Sequence, residues 1–226
     1  MLAINKRLKL VAEYVEGARL ADIGSDHAYL PIYLIKQGKI DFAVAGEVVE
    51  GPHKVSIKNV EEEGLSNKII CRKASGLDAV KLEDNVDVIT ICGMGGKLIS
   101  DILTNGKDKL INKPMLVLQP NVGEDALRDT LSTLGYNIIK EDIIEEDGHI
   151  YEIIVAVYGE MSLSEDEKKF GKFLLKTKGE LFKKKWLQEI DKTNYILEQL
   201  KKAKDSQDEK IEELVKWRTH VENIIK

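Results

Sequence analysis

Apolar positions along this chain recur with two alternating periods. Over residues 4–16, Leu8, Val11, Ala12 and Val15 fall at helical spacing, and Gly17 stops the run. Arg19-Leu20-Ala21-Asp22-Ile23 then reads as a short strand. The loop Gly24-Ser25-Asp26-His27 leads from it into a helix through Leu34 and Ile35 to Gly38. The same unit returns as a strand at 42–46, a helix at 52–63 closed by Gly64, and a strand at 68–72. A strand at 86–91 follows, then a Gly-rich turn and a helix to about Leu103, a strand at 115–118, and a helix at 123–134 closed by Gly135. Two late strands, near 137–144 and 151–158, are joined by Glu145-Glu146-Asp147-Gly148, which reads as a hairpin turn.

Repeated strand–helix units predict an α/β fold with a parallel sheet covered by helices on both faces. The terminal hairpin adds an antiparallel strand. That combination is the Rossmann-like, class I methyltransferase variant of the doubly wound sheet; the plain dinucleotide-binding variant lacks the hairpin. The texture changes after Gly159. Trp186, Ile190, Thr193, Leu197 and Leu200 keep heptad spacing, as do Ile211, Leu214, Arg218, Val221 and Ile225. With a turn at Asp205-Ser206-Gln207-Asp208, these predict an antiparallel, coiled-coil-like helical hairpin of about 30 Å. The expected domains are therefore 1–160 and 161–226.

Charge and composition narrow the classes further. The net charge is −5, mildly against a nucleic-acid partner, but it is unevenly spread. From residue 160 onward 16 basic side chains meet 14 acidic ones, so a phosphate-binding surface must be a local patch. Lys6, Arg7 and Lys9 form one candidate, and Lys183-Lys184-Lys185 another. The seam of the hairpin closes either on itself or on a second subunit, giving a monomer or a weak homodimer. No apolar run approaches the roughly 18 residues of a membrane span. The opening Met1-Leu2-Ala3-Ile4-Asn5-Lys6-Arg7 lacks the features of a signal peptide. The two cysteines, Cys71 and Cys92, have no metal-ligand spacing, and no metal site is expected. A cytoplasmic location fits.

The chemistry concentrates at strand ends. Asp22-Ile23-Gly24-Ser25-Asp26-His27-Ala28 sits where the first strand meets its helix, the place where ligands bind in open parallel sheets. A dinucleotide loop has glycine where this chain has Asp26. A carboxylate there opposes a pyrophosphate and suits the sulfonium and ammonium of S-adenosyl-L-methionine. Glu47, about 20 residues on, is placed to accept hydrogen bonds from ribose hydroxyls. Ala74-Ser75-Gly76-Leu77 follows the third strand, where an adenine edge would lie. Cys92-Gly93-Met94-Gly95-Gly96 is either an open floor for a planar base or a turn whose glycines serve helix packing. Gln119 and Asn121 could read a base edge, or Asn121 could cap the helix beginning near Val122. Cys92 has no basic partner near it in sequence and reads as a buried thiol, not a nucleophile.

These residues resemble the bacterial tRNA adenine-22 N1-methyltransferase family. The likeness is carried by Lys6-Arg7-Leu8, the string from Asp22 to Pro31, Gly46-Glu47-Val48, Gly51-Pro52, Gly93-Met94-Gly95-Gly96, Leu118-Gln119-Pro120-Asn121 and the segment from Glu146 to Ile153. It covers roughly residues 4–158, and the family also has a C-terminal coiled-coil-like domain. The family usually carries Gly-Asp-Gly-Leu where this chain has Ala74-Ser75-Gly76-Leu77, so the hydroxyl of Ser75 replaces an acid. The resemblance implies methyl transfer from S-adenosyl-L-methionine to N1 of an adenine in tRNA. Asp22, Gly24, Ser25, Asp26, His27, Glu47, Val48, Ser75, Gly76, Gly93 and Met94 would contact the cofactor. Lys6, Arg7, Tyr29, Gln119 and Asn121 would contact the tRNA, with Tyr29 stacking on a flipped base. Asp26 is the candidate catalytic carboxylate, facing the positive charge that develops on adenine. A small-molecule methyltransferase and an RNA-binding protein that retains a cofactor pocket are the alternatives.

Overall fold

The computed structural model describes residues 4–202 and 207–226. Its centre is one seven-stranded sheet in the order β3-β2-β1-β4-β5-β7-β6. β1 (Arg19–Ile23), β2 (Phe42–Glu47), β3 (Ile69–Lys73), β4 (Val88–Met94) and β5 (Met115–Pro120) are parallel. β7 (His149–Tyr158) runs antiparallel to both β5 and β6 (Tyr136–Glu146). The first three strands step outward and the chain then returns to lay β4 beside β1. That reversal opens a crevice beyond the carboxyl ends of β1 and β4, where ligands bind in such sheets.

Local sequence explains these elements. Leu20, Ala21 and Ile23 of β1 and Val88, Ile89 and Ile91 of β4 are all buried, the near-continuous apolar run of a central parallel strand. Five helices punctuate the strands: α1 (Lys6–Tyr14), α2 (Tyr29–Lys36), α3 (Glu50–Glu62), α4 (Gly96–Asn105) and α5 (Glu124–Thr133). Asn5 caps α1, its side chain accepting from the Leu8 amide at 2.8 Å. The β6–β7 turn is tighter than the pattern implied. Only Asp147 and Gly148 lie between the strands, and both have positive φ, as a two-residue I′ hairpin requires. β4 also runs further than expected, to Met94, so that Cys92 and Gly93 belong to the strand and not to a turn.

The sheet's antiparallel end is tied by an ion cluster that no local pattern announced. Arg128 of α5 is fully buried; its Nε donates to Glu141 of β6 at 2.6 Å and its Nη2 to Glu152 of β7. Nη1 donates to the Lys168 carbonyl of α6 (Glu165–Phe170) at 2.9 Å. Two buried carboxylates and one guanidinium thus bind four elements together.

The chain divides into two compact units, Met1–Lys172 and Phe173–Lys226. The boundary between the units falls at 172/173, whereas the sequence pattern placed it at 160/161. α6 belongs with the sheet, capped by Ser164 with Glu167 in a reciprocal capping box. Gly171 follows at φ +92°, where a side chain would press within 2.9 Å of Arg128. The second unit holds α7 (Leu174–Thr177), α8 (Glu180–Lys202) and α9 (Asp208–Ile225). Along the two seams Trp186, Ile190, Thr193, Leu197 and Val221 are buried, while Leu200, Ile211, Leu214, Arg218 and Ile225 are half-buried. The Trp186 and Trp217 rings meet edge-on at 6.3 Å, and Arg218 donates to Asn194 at 3.1 Å. In the expected turn, Asp205 and Ser206 lie outside the described residues. Among the described residues no helix is long and apolar enough to cross a membrane.

Replacing Arg128 with Ala would remove the buried guanidinium that Glu141 and Glu152 both accept from. The expected loss is about 3–5 kcal/mol, the cost of removing one partner from a buried ion cluster. Urea unfolding followed by circular dichroism measures it, and a loss under about 1 kcal/mol, the worth of an exposed pair, would contradict it.

Candidate active site

A cavity of about 510 Å³ opens at the carboxyl ends of β1, β2 and β4, within the usual range for small-molecule sites. Gly24, Asp26, Tyr29 and Leu30 line it from the first loop and α2, Glu47 and Val48 from the end of β2, and Cys92, Gly93 and Met94 from β4. Ile4, Asn5, Arg7 and Leu8 complete it from the start of α1. Seven of the residues expected to touch ligand are thereby brought to one cavity together with Arg7: Gly24, Asp26, Tyr29, Glu47, Val48, Gly93 and Met94.

The first loop is built from beneath by Asp22. Its carboxylate is buried, with one oxygen accepting from Ser25 and the other from Thr90 of β4, each at 2.6 Å. Burial holds the Asp22 carboxyl above the usual carboxylate range, against the lowering effect of the two hydroxyls. Ser25 is buried too, so Asp22 and Ser25 shape the loop without lining the cavity. The amides of Gly24 and Ser25 both donate to the Gly46 carbonyl at 2.9 Å, fixing the loop to the end of β2. Gly24 has φ +68°, a left-handed backbone that favours glycine, and a Cβ there would displace the end of the Met94 side chain.

The loop then turns through two left-handed residues, His27 at φ +56° and Ala28 at φ +58°. Neither is glycine, and such conformations cost of order 1–3 kcal/mol each, a form of strain that clusters at functional sites. His27 directs Nε2 toward Asp26 at 3.3 Å, while Asp26 keeps a side-chain exposure of 74%. His27 does not line the cavity. Glu47 ends β2 as the spacing predicted, and one of its carboxylate oxygens accepts from the Val49 amide at 2.8 Å.

Gln119 and Asn121 both hydrogen-bond to protein, Gln119 buried and Asn121 exposed. Gln119 is fully buried, and its Oε1 accepts from the Gly93 amide at 2.9 Å and from Arg7 Nη1. Its Nε2 donates to the Asn121 side-chain oxygen at 3.1 Å, and Asn121 Nδ2 donates to the Gly93 carbonyl at 2.8 Å. The two amides thus clasp both polar groups of Gly93, which sits at a register shift between β4 and β5 with φ +75°. Such an irregularity re-aims the next side chain, here Met94, into the cavity. Asn121 does not cap α5; Gly123 holds that position in the left-handed conformation. Within the glycine run, Gly96 serves helix packing, since a Cβ there would overlap the Gly123 carbonyl oxygen.

Arg7 is drawn inward. Its guanidinium bonds Gln119, lies 5.1 Å over the Tyr151 ring and is 3.8 Å from Glu146. Glu146 also accepts the Lys6 amide at 2.6 Å, whereas the Lys6 and Lys9 side chains are exposed. Ser75 and Gly76 line a separate cleft of about 310 Å³ with Asp78, Leu98, Asp101 and Asn105. The Cys92 thiol is pushed far above its ordinary value by burial and by the Asp22 charge, so it stays protonated at neutral pH. Among the described residues no cluster of His, Cys, Asp and Glu could hold a metal ion.

A parallel sheet ending in a reversed hairpin, with an acid-lined cavity at its switch point, defines a Rossmann-type S-adenosylmethionine-dependent methyltransferase. Comparison with known proteins gives the particular family. The family model described as TrmK, tRNA (adenine(22)-N(1))-methyltransferase, matches residues 20–222. The tRNA (adenine(22)-N(1))-methyltransferase of Bacillus subtilis is 44% identical over 216 residues, 92% of this chain and 90% of the relative. The Streptococcus pneumoniae protein Sp1610, solved in complex with S-adenosyl-L-methionine, is 45% identical with a TM-score of 0.92, covering 99% of this chain and 100% of that one. M. capricolum TrmK, solved with S-adenosyl-homocysteine, is 31% identical with a TM-score of 0.87, covering 99% of each chain. The chain belongs to the tRNA (adenine(22)-N(1))-methyltransferase family. It is an enzyme that uses S-adenosyl-L-methionine to methylate N1 of adenine 22 in tRNA.

Gly24→Ala tests the cavity floor. The added methyl meets Met94 and the left-handed backbone at once, so affinity for S-adenosylhomocysteine should fall about tenfold or more by calorimetry. Gly51→Ala, where a Cβ would meet nothing within 4 Å, should leave that affinity unchanged. Equal effects would show that the cavity beside Gly24 does not take the cofactor.

Proposed function

We propose that the cavity bounded by Gly24, Asp26, Glu47, Gly93 and Met94 is where the cofactor and the target adenine meet. The observation that carries this reading is the convergence of two carboxylates, Asp26 and Glu47, with two left-handed glycines, Gly24 and Gly93, in one cavity at the switch point. The residues fit S-adenosyl-L-methionine: Glu47 suits ribose hydroxyls, Asp26 suits a cation, and Arg7 on the opposite wall suits a carboxylate. When bound, the cofactor supplies an electrophilic methyl group on a sulfonium. Ser75 and Gly76, in the neighbouring cleft, are placed on the side where β3 ends and would face the adenine end.

The rest of the chemistry is positioning. Adenine N1 carries an in-plane lone pair and needs no strong base, so the protein's task is alignment. The base of a folded tRNA has to be unstacked to reach the cavity, and Tyr29, half-buried on its wall, offers a ring to stack on. Asp26 faces the charge left on the methylated base and can accept a proton from N6. Gln119 and Asn121 contribute by holding Gly93 rather than by reading a base edge. Phosphate contacts fall to Lys6, Lys9 and Lys183, and the enzyme works in the cytoplasm as a monomer or weak homodimer.

The test is incubation with labelled S-adenosyl-L-methionine and tRNA, with nucleoside analysis and mapping of the modified position. N1-methyladenosine at position 22 is expected. In the same assay Asp26→Asn should lower turnover about a hundredfold, the usual worth of a placed acid–base group, with a smaller effect on S-adenosylhomocysteine affinity. Full turnover would remove Asp26 from the chemistry.

Phosphate contacts release counterions, so tRNA affinity should weaken steeply with salt. Replacing Lys6, Lys9 and Lys183 with Ala should lower the log–log salt slope by about one for each lysine that had paired with a phosphate, while cofactor affinity holds. An unchanged slope would place the tRNA on another surface.

A further inference from the structure

The strained turn at His27-Ala28 is held by a residue from outside the cavity. Asn59, in the second half of α3, does not line that cavity. Its Nδ2 donates to the His27 carbonyl oxygen at 2.9 Å. That carbonyl belongs to the first of two successive left-handed residues, and no glycine relieves either one. A conformation of this kind persists where its surroundings over-determine it. The turn governs the residues on both sides. The Tyr29 amide donates to the Asp26 carbonyl at 3.1 Å, His27 Nε2 stands 3.3 Å from the Asp26 carboxylate, and the His27 and Tyr29 rings meet edge-on at 5.4 Å. Asp26 and Tyr29 are the two residues of this loop's ends that face the cavity and are assigned to the base.

We propose that Asn59 is a positioning residue for methyl transfer: its side-chain amide holds the His27 carbonyl and thereby fixes Asp26 and Tyr29 at the cavity edge. The inference rests on the reading of Asp26 and Tyr29 given above. It requires a donor at position 59. An aspartate has the same shape and no donor, so it fails for a reason that shape does not share. Asn59→Gln keeps the donor on a longer arm.

Full-length Asn59→Asp and Asn59→Ala are compared with the parent protein by single-turnover tRNA methylation, by S-adenosylhomocysteine calorimetry and by thermal melting. The methyl-transfer rate should fall about tenfold or more in both variants, as small misplacements of reacting groups do. S-Adenosylhomocysteine affinity should stay within about twofold, separating chemistry from cofactor binding. Asn59→Gln should recover part of the rate. A full rate in Asn59→Asp overturns the inference. So does cofactor affinity that falls in step with the rate, since Asn59 would then support only the cofactor pocket. A rate loss accounted for by the melted fraction at assay temperature overturns it as well. Asp26→Asn and Tyr29→Ala run alongside. If both keep the full rate, the reading of the loop is lost; if both lose rate while Asn59→Asp keeps it, only the role of Asn59 is lost.

Discussion

The Asp22 carboxylate, buried where β1 meets β4, is the constraint on which the site's geometry depends. It joins two strands that are adjacent in the sheet but 68 residues apart in sequence, through Thr90, and it joins the strand to its own loop through Ser25. A buried carboxylate with both oxygens satisfied by hydroxyls is a rigid unit, because any rotation leaves an unpaired polar group in a low-dielectric interior. From that unit the chain can turn at Gly24, pass through the strained pair His27 and Ala28, and start α2 with Tyr29 at the cavity wall. The strained turn is thus anchored at its base by Asp22 and at the His27 carbonyl by Asn59.

The features legible in the sequence were those that local pattern dictates. β1, its loop, the acid at the end of β2 and the terminal hairpin all follow from apolar period and turn residues, and Glu47 ends its strand where spacing placed it. What escaped was set by partners far along the chain. Gln119 offered an amide that could have read a base, and only the fold shows that Arg7, 112 residues away, and Gly93 take its oxygen. Arg128 reads in sequence as one more charge on an amphipathic helix, yet it is fully buried between Glu141 and Glu152. The same cluster leaves no room for a side chain at Gly171, where α6 ends, since one there would press on Arg128 and Glu141.

The glycines of the site look alike in sequence and act differently in space. Gly24 makes room for Met94, Gly96 makes room for the backbone of Gly123, and Gly93 supplies the left-handed step that turns Met94 inward. A glycine run therefore told of close approach without telling what approaches. In this site two of the approaching groups are protein: a methionine methyl and a carbonyl oxygen. The cavity is left flexible at Met94, an unbranched thioether that adapts to irregular neighbours, and rigid at Gly93, which is held by amides on both sides.

Methyl transfer moves a positive charge from the sulfonium to the adenine ring without changing the total inside the proposed site. On the reading proposed above, a carboxylate at the lip, Asp26, would be complementary before and after the reaction, its attraction shifting from the cofactor to the base. The same carboxylates repel the phosphates that accompany that base. On that reading an acidic cavity would accept an adenine only with the backbone held clear of the lip, the role proposed for the exposed lysines at the start of α1, next in sequence to Arg7 and Leu8 of the cavity wall. An acidic protein and a polyanionic substrate would then be reconciled by position: negative charge where the base is proposed to enter, positive charge along the helix that borders it.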